Sequence, residues 1–252
     1  MSLFSAEQIA INFGGIKAVD GVTFSVDKGE VFTIIGPNGA GKTTIFNLMS
    51  RIYDPSEGRL VFEGQDITRV PPHKIAALGI ARTFQNIELF EHATLLQNLL
   101  LARHAHKKSN FFSELLFTPA TKRMEVEHRE AVEHVIDFLD LQQYRDSYIV
   151  NLPYGVRKVT ELARALCTNP KLLLLDEPSS GLNVEETEDM AFWIQDIKNL
   201  LGITVLMVEH DMSLVSAVSD RVLALNYGRP IAMGSPAEVQ SHPEVMRAYL
   251  GG

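Results

Sequence analysis

The feature that most restricts the fold of this 252-residue chain is a glycine-rich run that directly follows an apolar, strand-like segment at residues 31–35. The run consists of Gly36, Pro37, Asn38, Gly39, Ala40, Gly41, Lys42, Thr43 and Thr44. Glycines let several backbone N–H groups turn onto phosphate oxygens, and a helix that starts here adds the positive end of its dipole. A glycine-rich turn that matches by accident is the alternative. The strand before the run and the helix-like segment after it favour a P-loop that binds a nucleoside triphosphate.

Two side chains of this run have predicted chemical roles. Lys42 is expected to reach the outer phosphates of the nucleotide, and the Thr43 hydroxyl is expected to ligate Mg²⁺. The whole run therefore counts as a predicted site for nucleotide contact, and Mg²⁺ is the predicted metal.

Composition narrows the class of protein. A formal net charge of −8 argues against a protein that coats nucleic acid, so we expect no nucleic-acid partner. The single cysteine, Cys167, cannot form an intramolecular disulfide and is expected to be a core residue. Apolar runs stay well short of the roughly 20 residues that span a bilayer, and the first residues lack the pattern of a leader. We therefore expect a chain that neither crosses a membrane nor is secreted.

The pattern of apolar residues predicts two small structural regions around the P-loop. Residues 1–30 and 59–67 consist of short alternating pieces with turn signals, which predicts a small antiparallel sheet. Residues 89–148 lack strand signals and show helical periodicity, which is clearest at 122–141. This middle region is therefore predicted to be a helical insert.

Continuously apolar runs later in the chain predict the main sheet. They lie at residues 171–176 and 203–208, and a helix-like segment at 185–201 separates them. Continuously apolar strands that alternate with helices are typical of a parallel sheet covered on both faces. The P-loop strand is expected to belong to the same sheet.

An acidic pair, Asp176 and Glu177, ends the first of these runs. An open parallel sheet places its ligand crevice at the carboxyl ends of its strands. One carboxylate can therefore hold Mg²⁺, commonly through water, while the other orients or deprotonates an attacking water. An acidic pair at a strand end is also compatible with a solvated loop, but the neighbouring P-loop favours the catalytic interpretation.

His210 ends the second apolar run. Parallel topology would bring it to the same edge of the sheet, where an imidazole within reach of a γ-phosphate can hydrogen-bond to it. A lone histidine at a strand end is often incidental. Here the context favours a contact with the γ-phosphate.

Taken in order along the chain, these residues resemble the nucleotide-binding subunit of an ABC transporter, over essentially its whole length. Beyond the P-loop, the ordered segments are Arg82-Thr-Phe-Gln85, Leu152-Pro-Tyr-Gly-Val156, Leu172-Leu-Leu-Leu-Asp-Glu-Pro178, Ser179-Ser-Gly-Leu-Asn183 and Glu209-His-Asp211. The resemblance implies an α/β fold of the P-loop NTPase (RecA-like) type, with a parallel sheet core, an antiparallel β-subdomain and an inserted α-helical subdomain. It implies one nucleotide-binding domain over residues 1–252, with the helical subdomain at about 86–160.

The resemblance also implies roles for two further residues. Gln85 corresponds to the Q-loop glutamine, which links the Mg²⁺ and water region to the helical insert and to a membrane partner. Phe13 corresponds to the aromatic residue that stacks on adenine, with core packing as the alternative. The predicted catalytic residues are Lys42, Gln85, Glu177 and His210, and the predicted metal-contacting residues are Thr43, Gln85 and Asp176.

Family likeness further implies a head-to-tail dimer, in which each ATP lies between one chain's P-loop and the other chain's signature segment, where Gly155 contacts the nucleotide. The family signature is usually Leu-Ser-Gly-Gly-Gln, but here Pro153 replaces the serine, Tyr154 the first glycine and Val156 the glutamine. Losing a charge-assisted hydroxyl contact removes about 1.5–3 kcal/mol if nothing replaces it, enough to slow turnover about tenfold or more. The segment that corresponds to the family's D-loop ends in Asn183, where aspartate is common in the family.

The subfamily can be narrowed from the stretch at residues 82–87, from Asn98 and from the ending at residues 234–251, which are similar to ATP-binding subunits of branched-chain amino acid importers. This likeness implies an ATP-hydrolysing importer subunit, peripheral on the cytoplasmic face of the inner (plasma) membrane. Its implied partners are two membrane permease subunits, a second ABC ATPase subunit and, indirectly, a solute-binding protein. Related importers move urea, short amides or aromatic acids, so the cargo stays open, as does the choice between homodimer and heterodimer.

Two other functions remain open at this point. The altered signature is compatible with a regulatory subunit that binds ATP but hydrolyses it weakly, although the catalytic set is retained. A soluble ABC ATPase of DNA repair or translation usually carries two cassettes in one chain or a long coiled-coil insert, and this sequence has neither.

Overall fold

The structure is a computed structural model that describes residues 2–83, 87–103 and 119–250. Contacts divide the chain into two compact units, residues 1–85 with 171–252 and residues 86–170. The first unit contains the described strands, and the second contains helices and short turns.

The first unit contains two sheets. The strands are β1 (Ser2–Phe13), β2 (Ile16–Asp27), β3 (Val31–Ile35), β4 (Glu57–Phe62), β5 (Gln65–Asp66), β6 (Ile80–Arg82), β7 (Leu172–Asp176), β8 (Thr204–Val208), β9 (Arg221–Asn226) and β10 (Arg229–Gly234). The α-helices within the described residues are α1 (Lys42–Met49), α2 (Pro72–Leu78), α3 (Leu95–Ala102), α4 (Pro119–Phe138), α5 (Tyr154–Leu166), α6 (Val184–Asn199), α7 (Met212–Val218), α8 (Pro236–Gln240) and α9 (Pro243–Leu250).

The smaller sheet is antiparallel and has the strand order β2-β1-β4-β5. The antiparallel arrangement is the one that the sequence predicts, but β1 and β2 are strands of 12 residues each rather than the short pieces expected over residues 1–30. Its long strands β1 and β2 form a hairpin that brings Phe13 and Ile16 to the turn.

The larger sheet has the order β10-β9-β3-β8-β7-β6 and is parallel from β9 to β6. Every residue of β3, β7 and β8 is buried, as expected for strands that are covered on both faces. Among the described strands of this sheet, only β10 runs antiparallel to its neighbour. The parallel sheet that the sequence predicts is therefore confirmed, with the P-loop strand β3 near its centre.

Aromatic side chains pack the two sheets of the first unit against each other. The rings of Phe24 and Phe32 are stacked with centroids 5.4 Å apart, and Phe4 lies 6.2 Å from Phe24. The guanidinium of Arg221 lies 5.2 Å from the centre of the Phe32 ring. This core fixes β3 and thereby the loop that follows it.

The second unit is helical in its described residues, as the sequence predicts. Thr94 begins α3 with a capping box, in which its hydroxyl accepts from Gln97 and the Gln97 side chain accepts from Thr94. Helix α4 ends at Phe138, three residues before the predicted limit at 141. Asp140 explains the difference, because its φ of 55° lies in the left-handed region, where a right-handed helix cannot continue.

Within the described part of the chain, none of the helices combines the length and the apolar composition needed to cross a bilayer.

Candidate active site

The loop after β3 has backbone shapes that require glycine. Gly36 and Gly41 have φ angles of 153° and 99°. A Cβ atom on Gly36 would lie 2.4 Å from the carbonyl oxygen of Leu225, and one on Gly41 would lie 2.5 Å from that of Ala18. Side chains cannot approach backbone oxygen so closely, so packing against the neighbouring strands keeps both positions free of side chains.

Lys42 opens α1 and places its side chain inside this loop. Its Nζ donates hydrogen bonds to the carbonyl oxygens of Gly36 at 2.7 Å and Pro37 at 3.1 Å. The next residue, Thr43, is exposed and Thr44 is partly exposed, so both are accessible to a ligand. The loop, the lysine and the start of the helix thus form one continuous feature.

Three carboxylates act on the charge of Lys42. Burial lowers the pKa of the Lys42 ammonium, whereas the negative charges of Glu177, Asp176 and Glu209 oppose that shift, in this order of strength. The carboxylates come from the ends of β7 and β8, of which β8 lies beside β3 and β7 beside β8 in the sheet. The parallel topology therefore brings the predicted acidic residues to the edge where the P-loop begins.

Asp176 is held by an arginine for which the sequence predicts no role. Arg82, the last residue of β6, donates from Nη2 to Asp176 Oδ2 at 2.8 Å and from Nη1 to Asn47 Oδ1 at 2.7 Å and Ser50 Oγ at 2.8 Å. Its guanidinium lies 5.6 Å from the centre of the Phe46 ring. The exposed side-chain fraction is 9% for Arg82 and 1% for Asp176. This buried ion pair ties β6 and β7 to α1.

Glu177 follows Asp176 with an unusual backbone. Its φ of 49° lies in the left-handed region, which is uncommon for residues other than glycine and is concentrated at functional sites. Its N–H donates to the carbonyl oxygen of Val208 at 2.9 Å, which holds it in place. Its Oε2 lies 4.0 Å from Nδ1 of His210, whose side chain is 56% exposed. Two predicted catalytic residues from different strands are therefore adjacent.

Glu209, between Val208 and His210, is a second residue without a predicted role. Its side chain is fully buried, and its carboxylate accepts hydrogen bonds from Ser179, His210 and Asp211. Burial of a carboxylate is costly unless donors surround it, as they do here.

Phe13 lies at the end of β1 with 44% of its surface exposed. Its ring meets that of Tyr53 edge to face, with centroids 5.2 Å apart and planes at 68°. An aromatic ring in the core would be buried, so this exposure argues against the packing alternative and leaves the ring accessible to a planar ligand. Tyr53 had no predicted role.

Other predicted residues lie elsewhere or beyond the described chain. Gln85 lies outside the described residues, together with Phe84 and Asn86 of its motif. In the second unit, Gly155 is buried near the start of α5, whose N-cap residue Pro153 makes no side-chain cap.

The departure at the D-loop has a structural explanation. Asn183 is the N-cap of α6, where its side-chain oxygen accepts from the N–H of Glu186 at 3.0 Å. Asparagine and aspartate are about equally good N-caps, so the replacement keeps the helix start.

Weak signals for the missed residues are present in the sequence. Arg82 is a lone charge at the end of a short apolar segment, and Glu209 is a charge that directly follows a continuously apolar run. Such charges are rarely buried unless they are paired. Their partners are distant in the sequence, so the signal does not say what they contact.

Comparison with known protein families gives two matches. The ABC transporter family matches residues 19–180, and a family described as branched-chain amino acid ATP-binding cassette transporter matches residues 229–252. The first match covers well over half of the chain.

Individual proteins match over nearly their whole length. The chain is 42% identical to the high-affinity branched-chain amino acid transport ATP-binding protein BraF of Pseudomonas aeruginosa, covering 96% of this chain and 95% of that protein. It is 39% identical to the corresponding protein LivG of Escherichia coli K12, covering 99% and 98%.

Solved structures agree with the sequence matches. A nucleotide-free ATP-binding cassette from an ABC transporter superimposes with a TM-score of 0.87 at 34% identity, covering 100% of both chains. The ADP conformation of an ATP-binding cassette of an ABC transporter gives a TM-score of 0.87 at 33% identity, again covering 100% of both.

The Arg82–Asp176 pair yields a prediction about stability. The Arg82→Met substitution removes the cation that pairs with a buried carboxylate, so we expect it to lower the free energy of unfolding by about 3–5 kcal/mol. Adding Asp176→Asn should restore part of the loss, because the buried charge is then removed as well. Urea unfolding of the purified chain measures both effects.

A matched control is Arg59→Met, since Arg59 pairs with Glu7 on the surface, where both side chains are exposed. We expect little or no change from this variant. Equal, small effects of the two arginine substitutions would contradict a structural role for the buried pair.

Proposed function

This chain belongs to the ABC transporter family as one of its ATP-binding cassettes, and from this membership we propose how its residues hydrolyse ATP and what the hydrolysis drives. The proposed activity is ATP hydrolysis coupled to the uptake of branched-chain amino acids or of a related small polar or aromatic solute. Residues 1–252 then act as one nucleotide-binding domain, with the helical subdomain at about 86–160.

ATP is proposed to lie across the loop after β3. The backbone N–H groups of the loop and of the first turn of α1 bind the phosphates, and Lys42 binds the outer ones. The exposed ring of Phe13 stacks on adenine, with Tyr53 holding that ring from its edge. The glycine positions of the loop support this assignment, because a side chain at Gly36 or Gly41 would collide with backbone oxygen.

Mg²⁺ fits the donor types at this edge of the sheet. A threonine hydroxyl and an aspartate carboxylate are hard oxygen donors, which Mg²⁺ prefers together with waters and phosphate oxygens. Thr43 and Asp176 would hold the ion, and Gln85, outside the described residues, would be a third contact. When bound, the ion supplies positive charge that neutralises the phosphates.

Hydrolysis is proposed to depend on Glu177 and His210. Glu177 orients the attacking water and accepts its proton, while His210 hydrogen-bonds to the γ-phosphate. The observation that carries this proposal is the 4.0 Å approach of these two side chains at the same sheet edge as Lys42. Positioning by a left-handed backbone at Glu177 then matters more than intrinsic basicity.

The Glu177→Gln substitution tests the proposed base. It removes the proton acceptor and leaves the P-loop intact, so we expect kcat to fall about 100-fold or more while ATP affinity is nearly unchanged. The ATP-bound dimer should also become longer-lived, as gel filtration with ATP would show. Steady-state hydrolysis at concentrations that permit dimerisation gives kcat and KM.

The matched control is Glu238→Gln, at the capping box of α8, which should keep the parental rate. Hydrolysis unchanged in Glu177→Gln would remove Glu177 from catalysis. ATP binding with negligible hydrolysis already in the unsubstituted chain would instead favour the regulatory subunit as its function.

The head-to-tail dimer is proposed to complete each site with the start of α5 from a second subunit. At this helix start Pro153 makes no side-chain cap, while Gly155 keeps its N–H within the first turn. Backbone N–H groups and the helix dipole would then face the γ-phosphate without a serine hydroxyl.

The Pro153→Ser substitution tests whether the missing hydroxyl limits turnover. Serine supplies a hydroxyl at the N-cap, and we expect kcat to rise up to about tenfold. Pro153→Ala is the control, because it removes the ring without adding a hydroxyl. Equal rates in the serine and alanine variants would mean that another group has replaced the hydroxyl.

Permease subunits are proposed to dock on an exposed apolar patch of the second unit, formed by Phe90, Tyr148 and Val150. Their exposed fractions are 60%, 52% and 45%. A hydrogen bond from the N–H of Val150 to the carbonyl oxygen of Glu91 joins the two loops. The buried Asn98 side chain accepts a hydrogen bond from the N–H of Phe90 at 2.8 Å and donates one to the carbonyl oxygen of Phe90 at 3.1 Å. The protein would thereby be held peripherally on the cytoplasmic face of the inner (plasma) membrane, with a solute-binding protein acting indirectly.

The Phe90→Ala substitution tests this docking. It removes the largest exposed ring of the patch, so we expect weaker co-purification with the permease subunits and slower uptake, with ATP hydrolysis by the isolated chain unchanged. Phe192→Ala is a matched control, because Phe192 is 65% exposed but lies in the first unit. Undiminished co-purification of Phe90→Ala would contradict the docking surface.

A further inference from the structure

Glu209 joins the two loops that carry the proposed catalytic residues. It is the first residue after β8, and its side chain is fully buried. One loop leads from Glu177 to Ser179 at the end of β7, and the other contains His210 and Asp211. Since the function of both loops rests on the hydrolysis mechanism proposed above, so does the role of Glu209.

The carboxylate divides its hydrogen bonds between these loops. Oε1 accepts from the N–H of Ser179 at 2.9 Å and from its hydroxyl at 2.6 Å. Oε2 accepts from the N–H of His210 at 2.6 Å and from that of Asp211 at 3.1 Å, and it lies 3.6 Å from His210 Nδ1. Hydrogen bonds to an ionised acceptor are stronger than those between neutral groups.

Further hydrogen bonds hold the residues around the Glu209 carboxylate in place. Glu177 donates from its N–H to the carbonyl oxygen of Val208, the residue before Glu209. Asp211 is the N-cap of α7 and accepts from the N–H of Ser213 at 2.8 Å. The backbone of His210 is therefore held between the Glu209 carboxylate and the capped helix α7. Glu177 is held at the end of β7 by its hydrogen bond to the last residue of β8.

We propose that Glu209 is a positioning residue for ATP hydrolysis, whose buried carboxylate sets the distance between Glu177 and His210. Only a carboxylate can accept at both oxygens. An amide of the same shape would turn its NH₂ group toward one of the two donor pairs, so the hydrogen bonds to one loop would be weakened or lost. Glu209 therefore acts on catalysis through the residues that donate to it, since its own side chain is fully buried.

The Glu209→Gln substitution tests this role. We expect kcat to fall about 10- to 100-fold while KM for ATP changes little, because the carboxylate's hydrogen bonds go to the loops after β7 and β8 and its charge is the weakest of the three that act on Lys42. Ser179→Ala, which removes one of the four donors, should give a smaller loss of kcat. It also decides the matter if Glu209→Gln does not fold, since an unchanged kcat in Ser179→Ala would then overturn the proposal.

Glu238→Gln is the matched control. The Glu238 carboxylate also accepts from the N–H and the hydroxyl of one serine, Ser235, at 2.8 and 2.7 Å, but it lies at the surface start of α8. It should leave kcat unchanged. A similar loss of kcat in Glu238→Gln would show a general effect of carboxylate removal and would overturn the proposal.

A double-mutant cycle separates positioning from general destabilisation. If Glu209 acts through His210, adding Glu209→Gln to His210→Ala should cost much less than in the parental chain, as single-turnover hydrolysis measures. Fully additive losses would overturn the proposal. Unchanged hydrolysis in both His210→Ala and Glu177→Gln would instead refute the proposed mechanism itself. If these two variants lose activity but Glu209→Gln does not, only the role of Glu209 is refuted.

Discussion

Parallel hydrogen bonding among β3, β8 and β7 is the constraint on which the site depends. Residue for residue, Ile34 pairs with Val208, and Val208 pairs with Asp176. The three strands therefore end at the same level, and the residues that follow them emerge together. A shift of one residue in this register would turn every side chain to the opposite face and would separate the lysine from the carboxylates. The chemistry is thus a consequence of how the sheet pairs.

The site also requires charge compensation, because several charged side chains are buried at this edge of the sheet. Lys42 lies among the fields of Glu177, Asp176 and Glu209, and Arg82 pairs directly with Asp176. An isolated buried charge would be very costly, so the burial of each group depends on its oppositely charged neighbours. Such mutual dependence favours a fixed geometry, which hydrolysis needs more than it needs strong acids or bases.

Much of this could be predicted from local sequence. The P-loop, the buried parallel strands and the helical middle region have strong local patterns, and each is found in the structure. The limit of α4 was wrong by three residues, because the left-handed Asp140 gives no pattern over a helical window. The roles of all the predicted site residues stay predictions, and those of Gln85 and Gly155 additionally involve a residue outside the described chain and a second subunit.

The sequence by itself determined the strand–loop–helix order of the proposed phosphate site, the acidic pair after a buried strand and membership of the ABC family. These properties depend on neighbours along the chain, and short-range patterns record them. Only the tertiary structure decided that Arg82 pairs with Asp176, that Tyr53 flanks Phe13 and that Glu209 bridges Ser179 and His210. Each of these contacts joins segments that lie apart in the sequence, and a single sequence carries no record of which distant donor will satisfy a given buried charge.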